Sequence, residues 1–279
     1  MRAPVLRGAA VAAAVAVVLT GCSGGSGGPT AAGSGSTPVP VTSPATTSVA
    51  AHSSASGVIA PSVPPGATPT SRPGAVPRAD AVVRPVGAAQ WARIVAAGMA
   101  RPGCPVTRAQ LRRVEVGFWG FDGRPHRGVL VVNADVASSV AAVFTELFDA
   151  RFPIRRMRPV EYYHGDDNAS MRDDNTSAYN CRSAGQANAP STASPHANGR
   201  AVDVNPLENP WRDPRCGCWM PSAAHAARRP GPGMILRGGV VWRAFTREGW
   251  IWQDISSTVD YQHFDTGYPS RPFHRRTAG

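Results

Sequence analysis

Apolar and polar positions from about residue 79 onward follow the periods of a folded domain. Residues 113–119 alternate as a strand does, residues 121–123 supply turn chemistry, and residues 128–133 form a second apolar strand, which predicts a hairpin with a long loop. Before it, apolar residues at helical spacing predict a helix that ends before Pro102, namely Trp91, Ile94, Val95 and Met99.

The next apolar stripe predicts a helix packed on this sheet, with Asp135 as its N-cap; the stripe consists of Val136, Val140, Val143, Phe144, Leu147 and Phe148. Residues 153–163 resemble another strand, and residues 241–248 a short helix ended by a glycine. The acidic stretch 165–175 lacks the ligand spacing of a calcium loop, so we expect a hydrogen-bonded surface loop. Together these elements predict one α+β domain with a small, mainly antiparallel sheet and helices on one side.

The stretch 194–205, SPHANGRAVDVN, places His196 and Asp203 seven positions apart. Gly199 allows a turn, and the residues after it alternate in period two. Val202 and Val204 would then face a core, while Asp203 lies on the opposite face with His196. An imidazole and a carboxylate that converge on one point are two of the three protein ligands of a catalytic zinc.

A second histidine, His263, follows a carboxylate, Asp260, by three positions. If His263 completes the metal site, Asp260 is close enough to move the proton of a water that zinc activates. A regular strand would send the two side chains to opposite faces, so we expect Asp260 in the loop just before the strand.

These motifs, in this order, resemble the zinc D-alanyl-D-alanine carboxypeptidase family, whose superfamily includes lysostaphin-type and Hedgehog-type zinc domains. The matching segments are Ser194-x-His196-x-x-Gly199-x-Ala201-x-Asp203, Asp260-x-x-His263, Asn180-Cys181-Arg182, Asn205-Pro206 and Gly249-Trp250. The resemblance covers about residues 91–264 and implies a Hedgehog/DD-peptidase-like fold with a zinc cleft. It implies one zinc ion on His196, Asp203 and His263, Asp260 as general base, and Arg182 as the group that stabilises the oxyanion.

The chain departs from the family at two places near this site. Gln253 and Asp254 follow Trp252 where relatives carry glycines, and the base is Asp260 where many relatives carry glutamate. The first change puts the shape of one pocket wall in question, and the second demands a closer approach to the water. We expect three further residues to contact substrate: Ser194, Trp252 and Gln262.

The N-terminus has the layout of a signal peptide, with Arg2 and Arg7 before an apolar run over residues 9–19 that is too short to span a bilayer. It ends at Leu19-Thr20-Gly21-Cys22, which resembles a lipobox and predicts lipidation of Cys22; a plain signal peptide with an unrelated cysteine is the alternative. Residues 23–79, rich in Ser, Thr, Pro, Gly and Ala, predict a disordered linker that spans roughly 40 Å. The peptidase domain would occupy residues 80–272 and a tail residues 273–279. We therefore expect an exported protein anchored to the outer face of the cell membrane, facing the wall.

The net charge of +11 comes entirely from arginine, because the chain contains no lysine. Outside the cytoplasm such a charge favours anionic wall polymers and lipid headgroups, while the scattered arginines do not favour nucleic acid. The Ser-x-x-Lys motif of penicillin-binding carboxypeptidases cannot exist here, and no Gly-x-Ser-x-Gly elbow surrounds Ser194. A cell-wall peptidase of this sequence must therefore use a metal, or the chain does something else.

Four cysteines besides Cys22 suggest disulfides in an exported domain. Cys216 and Cys218 are separated by one residue, so a pairing of Cys104 with Cys181 is favoured and the other pair stays open. Zinc ligation by Cys216 and Cys218 is a more specific alternative to a disulfide, but an oxidising location disfavours it.

The function expected from these features is hydrolysis of a peptidoglycan stem-peptide amide, the D-alanyl-D-alanine bond first, by a monomer. An endopeptidase that cuts another stem bond, such as L-alanyl-D-glutamate, is one alternative. A metal-bearing but catalytically silent wall-binding module is the other, and intact Asp260 and Arg182 favour the enzyme.

Overall fold

The computed structural model describes residues 77–183, 186, 193–254 and 259–274. In these residues the helices are α1 (Ala88–Ala96), α2 (Ala137–Asp149), α3 (Asp167–Arg172) and α4 (Val240–Arg247). The strands are β1 (Val82–Pro85), β2 (Leu111–Trp119), β3 (Pro125–Asn133), β4 (Arg156–Met157), β5 (Asn175–Thr176), β6 (Ala201–Asp203), β7 (Trp211–Asp213), β8 (Cys218–Met220), β9 (Ile251–Trp252) and β10 (His263–Asp265). This mixture of helices and short strands is consistent with the predicted α+β class.

Two small antiparallel sheets organise the fold. The first has the order β1-β2-β3, with β2 and β3 joined as the predicted hairpin, and the second has the order β6-β10-β9. The pair β7–β8 is also antiparallel, whereas β4 and β5 pair in parallel. The second sheet brings residues 201–203 next to residues 263–265, and so joins two segments about 60 positions apart.

The main core lies between the first sheet, α2, α4 and the second sheet. The apolar stripe of α2 is buried as predicted, and Val202 and Val204 of the second sheet are also buried in this core. Phe264 is fully buried and stacks on Phe245 of α4, with 4.1 Å between ring centroids. The core therefore packs against one face of β6 and β10. The residues that alternate with these apolar positions lie on the opposite face of the sheet.

Three local predictions are wrong. Asp135 does not cap α2: the N-cap residue is Val136, and the Asp135 carboxylate instead accepts hydrogen bonds from Arg200 at 2.6 Å and from the backbone N–H of Phe273 at 3.0 Å. An ion pair with a guanidinium is a stronger partner for a carboxylate than a free helix N–H. Phe273 is the first residue of the predicted tail, and its ring contacts the ring of Trp250.

The segment 153–163 is not one strand. It contains only the two residues of β4, followed by a 3₁₀ turn over Val160–Tyr163, because Pro159 cannot donate to a ladder and starts the turn instead. The acidic segment that follows is partly helical: it forms α3, and the side chain of Asp166 caps this helix by accepting the N–H of Ala169 at 3.1 Å.

Disulfides join Cys104 to Cys181 and Cys216 to Cys218. The first links positions 77 apart, and Cys181 is buried, whereas the second closes the exposed tip of the β7–β8 hairpin. The metal-ligand alternative for Cys216 and Cys218 is therefore not adopted. Cys22, the signal peptide and nearly all of the linker lie outside the described residues, and none of the helices within the described ranges is long and apolar enough to cross a membrane.

Candidate metal centre

The three predicted metal ligands come from one turn and two paired strands. His196 lies in the turn before β6, Asp203 is the last residue of β6, and His263 is the first residue of β10, directly opposite Asp203 in the antiparallel register. Gly199 has φ +67°, and a Cβ there would lie 2.7 Å from the backbone N of Asn133. Only glycine fits both the left-handed conformation and this close approach, so Gly199 makes the turn that carries His196.

The side chains of His196, Asp203 and His263 converge on one point. His196 Nε2 lies 3.0 Å from His263 Nδ1 and 3.1 Å from Asp203 Oδ2, and His263 Nδ1 lies 2.9 Å from Asp203 Oδ1. Two ligands at about 2.0–2.1 Å from a tetrahedral zinc are themselves about 3.3 Å apart. The donor set and its spacing therefore fit a zinc ion, and no other group of three His, Cys, Asp or Glu side chains in the described ranges is placed to hold a metal.

Each histidine is oriented by a hydrogen bond from its second ring nitrogen. His196 Nδ1 contacts the backbone carbonyl of Ala178 at 2.6 Å, and His263 Nε2 contacts Asp265 Oδ2 at 3.1 Å. Asp265 in turn accepts from Gln253 Nε2 at 3.0 Å. Such contacts fix the ring nitrogen that remains available to a metal and raise its basicity. Gln253, which departs from the family pattern, is thus part of the support for His263.

The charges around Asp203 favour its ionised form. Burial alone would raise the pKa of Asp203, but the neighbouring His196 and His263 outweigh it and hold that pKa well below its usual range. Burial would lower the pKa of His263, but its contacts with Asp203 and Asp265 raise it well above the usual value. Because metal ligation needs a neutral imidazole, a zinc ion competes with a proton for His263.

Asp260 lies in the loop before β10, as its spacing from His263 predicts, and its backbone is held in a bridge to Trp211. Its Oδ1 is enclosed and has no hydrogen-bond partner among the described residues. Burial raises the pKa of Asp260 to about 8, against the charge of His263, which lowers it. A carboxyl group whose pKa lies near neutral pH can both accept and release a proton there, and its uncommitted oxygen suits it to proton transfer.

Arg182 lies close enough to Asp203 and Asp260 for their charges to act on its guanidinium. It is buried, and its Nη2 lies 2.8 Å from Asp167 of α3. The structure thus places a fixed positive charge beside the carboxylates of the metal centre.

The three predicted substrate contacts have different surroundings. Ser194 is partly exposed, and its Oγ accepts the backbone N–H of Ala197 at 3.4 Å, within the turn. Trp252 and Gln262 are instead buried: Trp252 Nε1 donates to the Tyr261 carbonyl, and Gln262 Nε2 lies 3.4 Å from Met171 Sδ. Substrate contact by Ser194, Trp252 and Gln262 stays a prediction, and the contacts of Trp252 and Gln262 are with the protein interior.

Sequence analysis missed two contributors to the site. Asp265 orients His263, and its position two residues after His263 on a strand, which puts both on one face, could have indicated this role. Asp167 carries no local signal, since its partner is 15 positions away.

An α+β domain with two histidines, one aspartate, a nearby carboxylate and a buried arginine defines a candidate zinc hydrolase site. Residues 187–266 match the family model described as D-alanyl-D-alanine carboxypeptidase. The match confirms the predicted resemblance over these residues and supports a metallopeptidase. It contains the three candidate ligands and Asp260, while Arg182 lies just before it. Searches of curated proteins and of solved structures gave no significant match.

Proposed function

We propose that this protein is a zinc-dependent peptidase that hydrolyses the D-alanyl-D-alanine bond of peptidoglycan stem peptides. The observation that carries the proposal is the convergence of His196, Asp203 and His263 within 4.8 Å, next to the partly buried carboxylate of Asp260. The family match over residues 187–266 supports the same reaction class.

His196, Asp203 and His263 would hold the ion, and bound zinc would supply Lewis-acid activation of water and of the scissile carbonyl. Asp260 takes a proton from the attacking water and later delivers it to the leaving amine. Arg182 opposes the negative charge that develops on the carbonyl oxygen, and its fixed position means that little reorganisation is needed during the reaction. His196 and His263 are held in their tautomers by Ala178 and Asp265.

Export, lipidation at Cys22 and a place facing the cell wall are part of this proposal. They rest on the N-terminal sequence, which lies outside the described residues. Mass spectrometry of the mature N-terminus tests them, because a lipidated Cys22 would carry the added acyl mass and a plain signal peptide would not.

The activity test incubates the zinc-loaded protein with muropeptides and identifies the products by mass spectrometry. We expect release of terminal D-alanine, and a loss of roughly 10²–10⁴-fold in rate for Asp260→Asn. Asp122→Asn is the matched control, since Asp122 is an exposed carboxylate that pairs with His126 in the β2–β3 hairpin. Unchanged cleavage by Asp260→Asn would refute the role of this base. Release of a larger fragment would instead indicate an endopeptidase.

The metal test compares His263→Ala with His126→Ala, a partly exposed histidine that pairs with Asp122. Wild type and His126→Ala should bind one zinc ion and unfold at a higher temperature with zinc than without, since a ligand of the native state stabilises it. His263→Ala should lose both effects. Zinc binding without any cleavage would support a silent wall-binding module.

A further inference from the structure

Contacts with the segment that follows α1 hold the backbone of Arg182 in place. The preceding residue, Cys181, is joined to Cys104, and the Arg101 guanidinium donates to the carbonyls of both Cys181 (2.8 Å) and Arg182. Tyr179 further anchors this segment, because its hydroxyl donates to the carbonyl of Met99. The main chain of Arg182 is therefore fixed to the region that follows α1.

The side chain of Arg182 is held separately, by Asp167 at the start of α3. Arg182 Nε donates to Asp167 Oδ2 at 2.9 Å, and Nη2 forms an ion pair with the same oxygen at 2.8 Å. The other oxygen, Oδ1, accepts from Asn180 Nδ2 at 3.1 Å. The side chains of Arg182 and Asp167 are only 7% and 9% exposed, so water does not compete for these bonds.

We propose that Asp167 is a positioning residue for the reaction: it locks the Arg182 guanidinium so that Nη1 is directed at the developing oxyanion. This inference rests on the proposed function. Within the described residues, the contacts of the guanidinium with Asp167 are made by Nε and Nη2 and do not involve Nη1. Two guanidinium nitrogens held at one carboxylate oxygen fix the guanidinium plane, which a long arginine side chain would otherwise not hold.

Charge alone does not explain this contact. The charges of two other carboxylates, Asp203 and Asp260, already act on Arg182. Asp167 adds a further negative charge close to the place where the reaction develops the negative oxyanion. Its benefit to the reaction must therefore come from the geometry that it gives Arg182. A role in positioning predicts that both Asp167→Asn and Asp167→Glu lose activity, because the first weakens the contact and the second displaces it. A role in charge balance predicts that Asp167→Glu matches wild type.

The experiment is a double-mutant cycle on kcat/KM with the stem-peptide substrate. Each single variant at Asp167 should lower kcat about 10- to 100-fold with little change in KM, less than the loss of about 10²–10³-fold for removing an oxyanion donor. In the Arg182→Gln background, Asp167→Asn should have no further effect. The zinc content should be that of wild type. Additive losses, or an active Asp167→Glu, would overturn the proposal.

Asp174→Asn is the matched control, because Asp174 is a fully buried carboxylate of the same segment that pairs with Arg155 at 3.1 Å. It should lose stability as Asp167→Asn does, yet retain kcat. Equal loss of kcat in both variants would mean that the effect at Asp167 is structural.

A second readout does not depend on cleavage. The Arg182 Nε–H signal in a ¹H–¹⁵N spectrum, assigned by its absence in Arg182→Gln, should be slow to exchange in wild type and fast in Asp167→Asn. A signal equally protected in both would overturn the positioning role even in a protein that cleaves nothing. If wild type releases no fragment, the proposed function fails, while this signal still decides whether Asp167 orients Arg182.

Discussion

Removing the Cys104–Cys181 disulfide should destabilise the domain far more than removing Cys216–Cys218. The perturbation is a pair of double variants, Cys104→Ala with Cys181→Ala, and Cys216→Ala with Cys218→Ala. Alanine is preferred to serine because Cys181 is buried and a hydroxyl there would need a new partner. Each variant removes one cross-link and leaves the other as an internal reference.

The magnitude follows from the chain lengths that the two bonds close. A cross-link restricts the unfolded chain more when it spans more residues, so a separation of 77 positions corresponds to about 4.5 kcal/mol and a separation of 2 to about 1–2 kcal/mol. The first bond also fixes the residue before Arg182, so its loss should lower kcat as well as stability. The second closes an exposed hairpin tip and should leave kcat nearly unchanged.

The assay is urea unfolding of both variants and of wild type, followed by circular dichroism, with kcat measured below the unfolding transition. We expect the free energy of unfolding to fall by about 3–5 kcal/mol for the first variant and by less than about 2 kcal/mol for the second. Equal losses, or a first variant with unchanged stability and kcat, would refute the reasoning that links this bond to the fold and to Arg182.

Three further predictions concern residues around the site. Gly199→Ala should cost about 2–4 kcal/mol, because it combines an unfavourable positive φ with a backbone clash, whereas Gly123→Ala, at φ +69° in open space, should cost only about 1 kcal/mol in the same urea assay. Burial raises the pKa of Glu208 to about 7. The stability that its protonated form contributes is therefore present below about pH 4.5 and is lost as the pH rises through 7. Glu208→Gln should remove up to about 3 kcal/mol of this pH dependence when the free energy of unfolding is measured from pH 4 to 8. Gln253→Ala should weaken zinc binding about 10-fold in a chelator competition, because it removes a donor to the carboxylate that orients His263, and Asp254→Ala should not.

The hydrophobic period and the residue spacing of the sequence were sufficient to predict the elements that carry the metal ligands. Alternation around Asp203 separates Val202 and Val204 from the metal face, and the offset between Asp260 and His263 correctly requires a loop before the strand. These are local relations, which depend on side-chain direction along one segment.

The remaining features depend on contacts between distant segments. The partner of Arg182 is decided by how α3 packs, so no nearby pattern points to Asp167. The burial of Trp252 and Gln262 likewise depends on packing between distant segments, which no local pattern shows. Asp135 illustrates the same limit, because Arg200, 65 positions away, competes successfully for a carboxylate that would otherwise cap a helix.

The pairing of His263 with Asp203 across β6 and β10 also sets an order of events for the newly made chain. The two residues are 60 positions apart, so the unfolded chain contains no preformed pocket for the ion. If the site binds zinc as proposed, the ion is captured only after the second sheet has closed, so the metal supply where the chain folds determines how much of the protein becomes loaded.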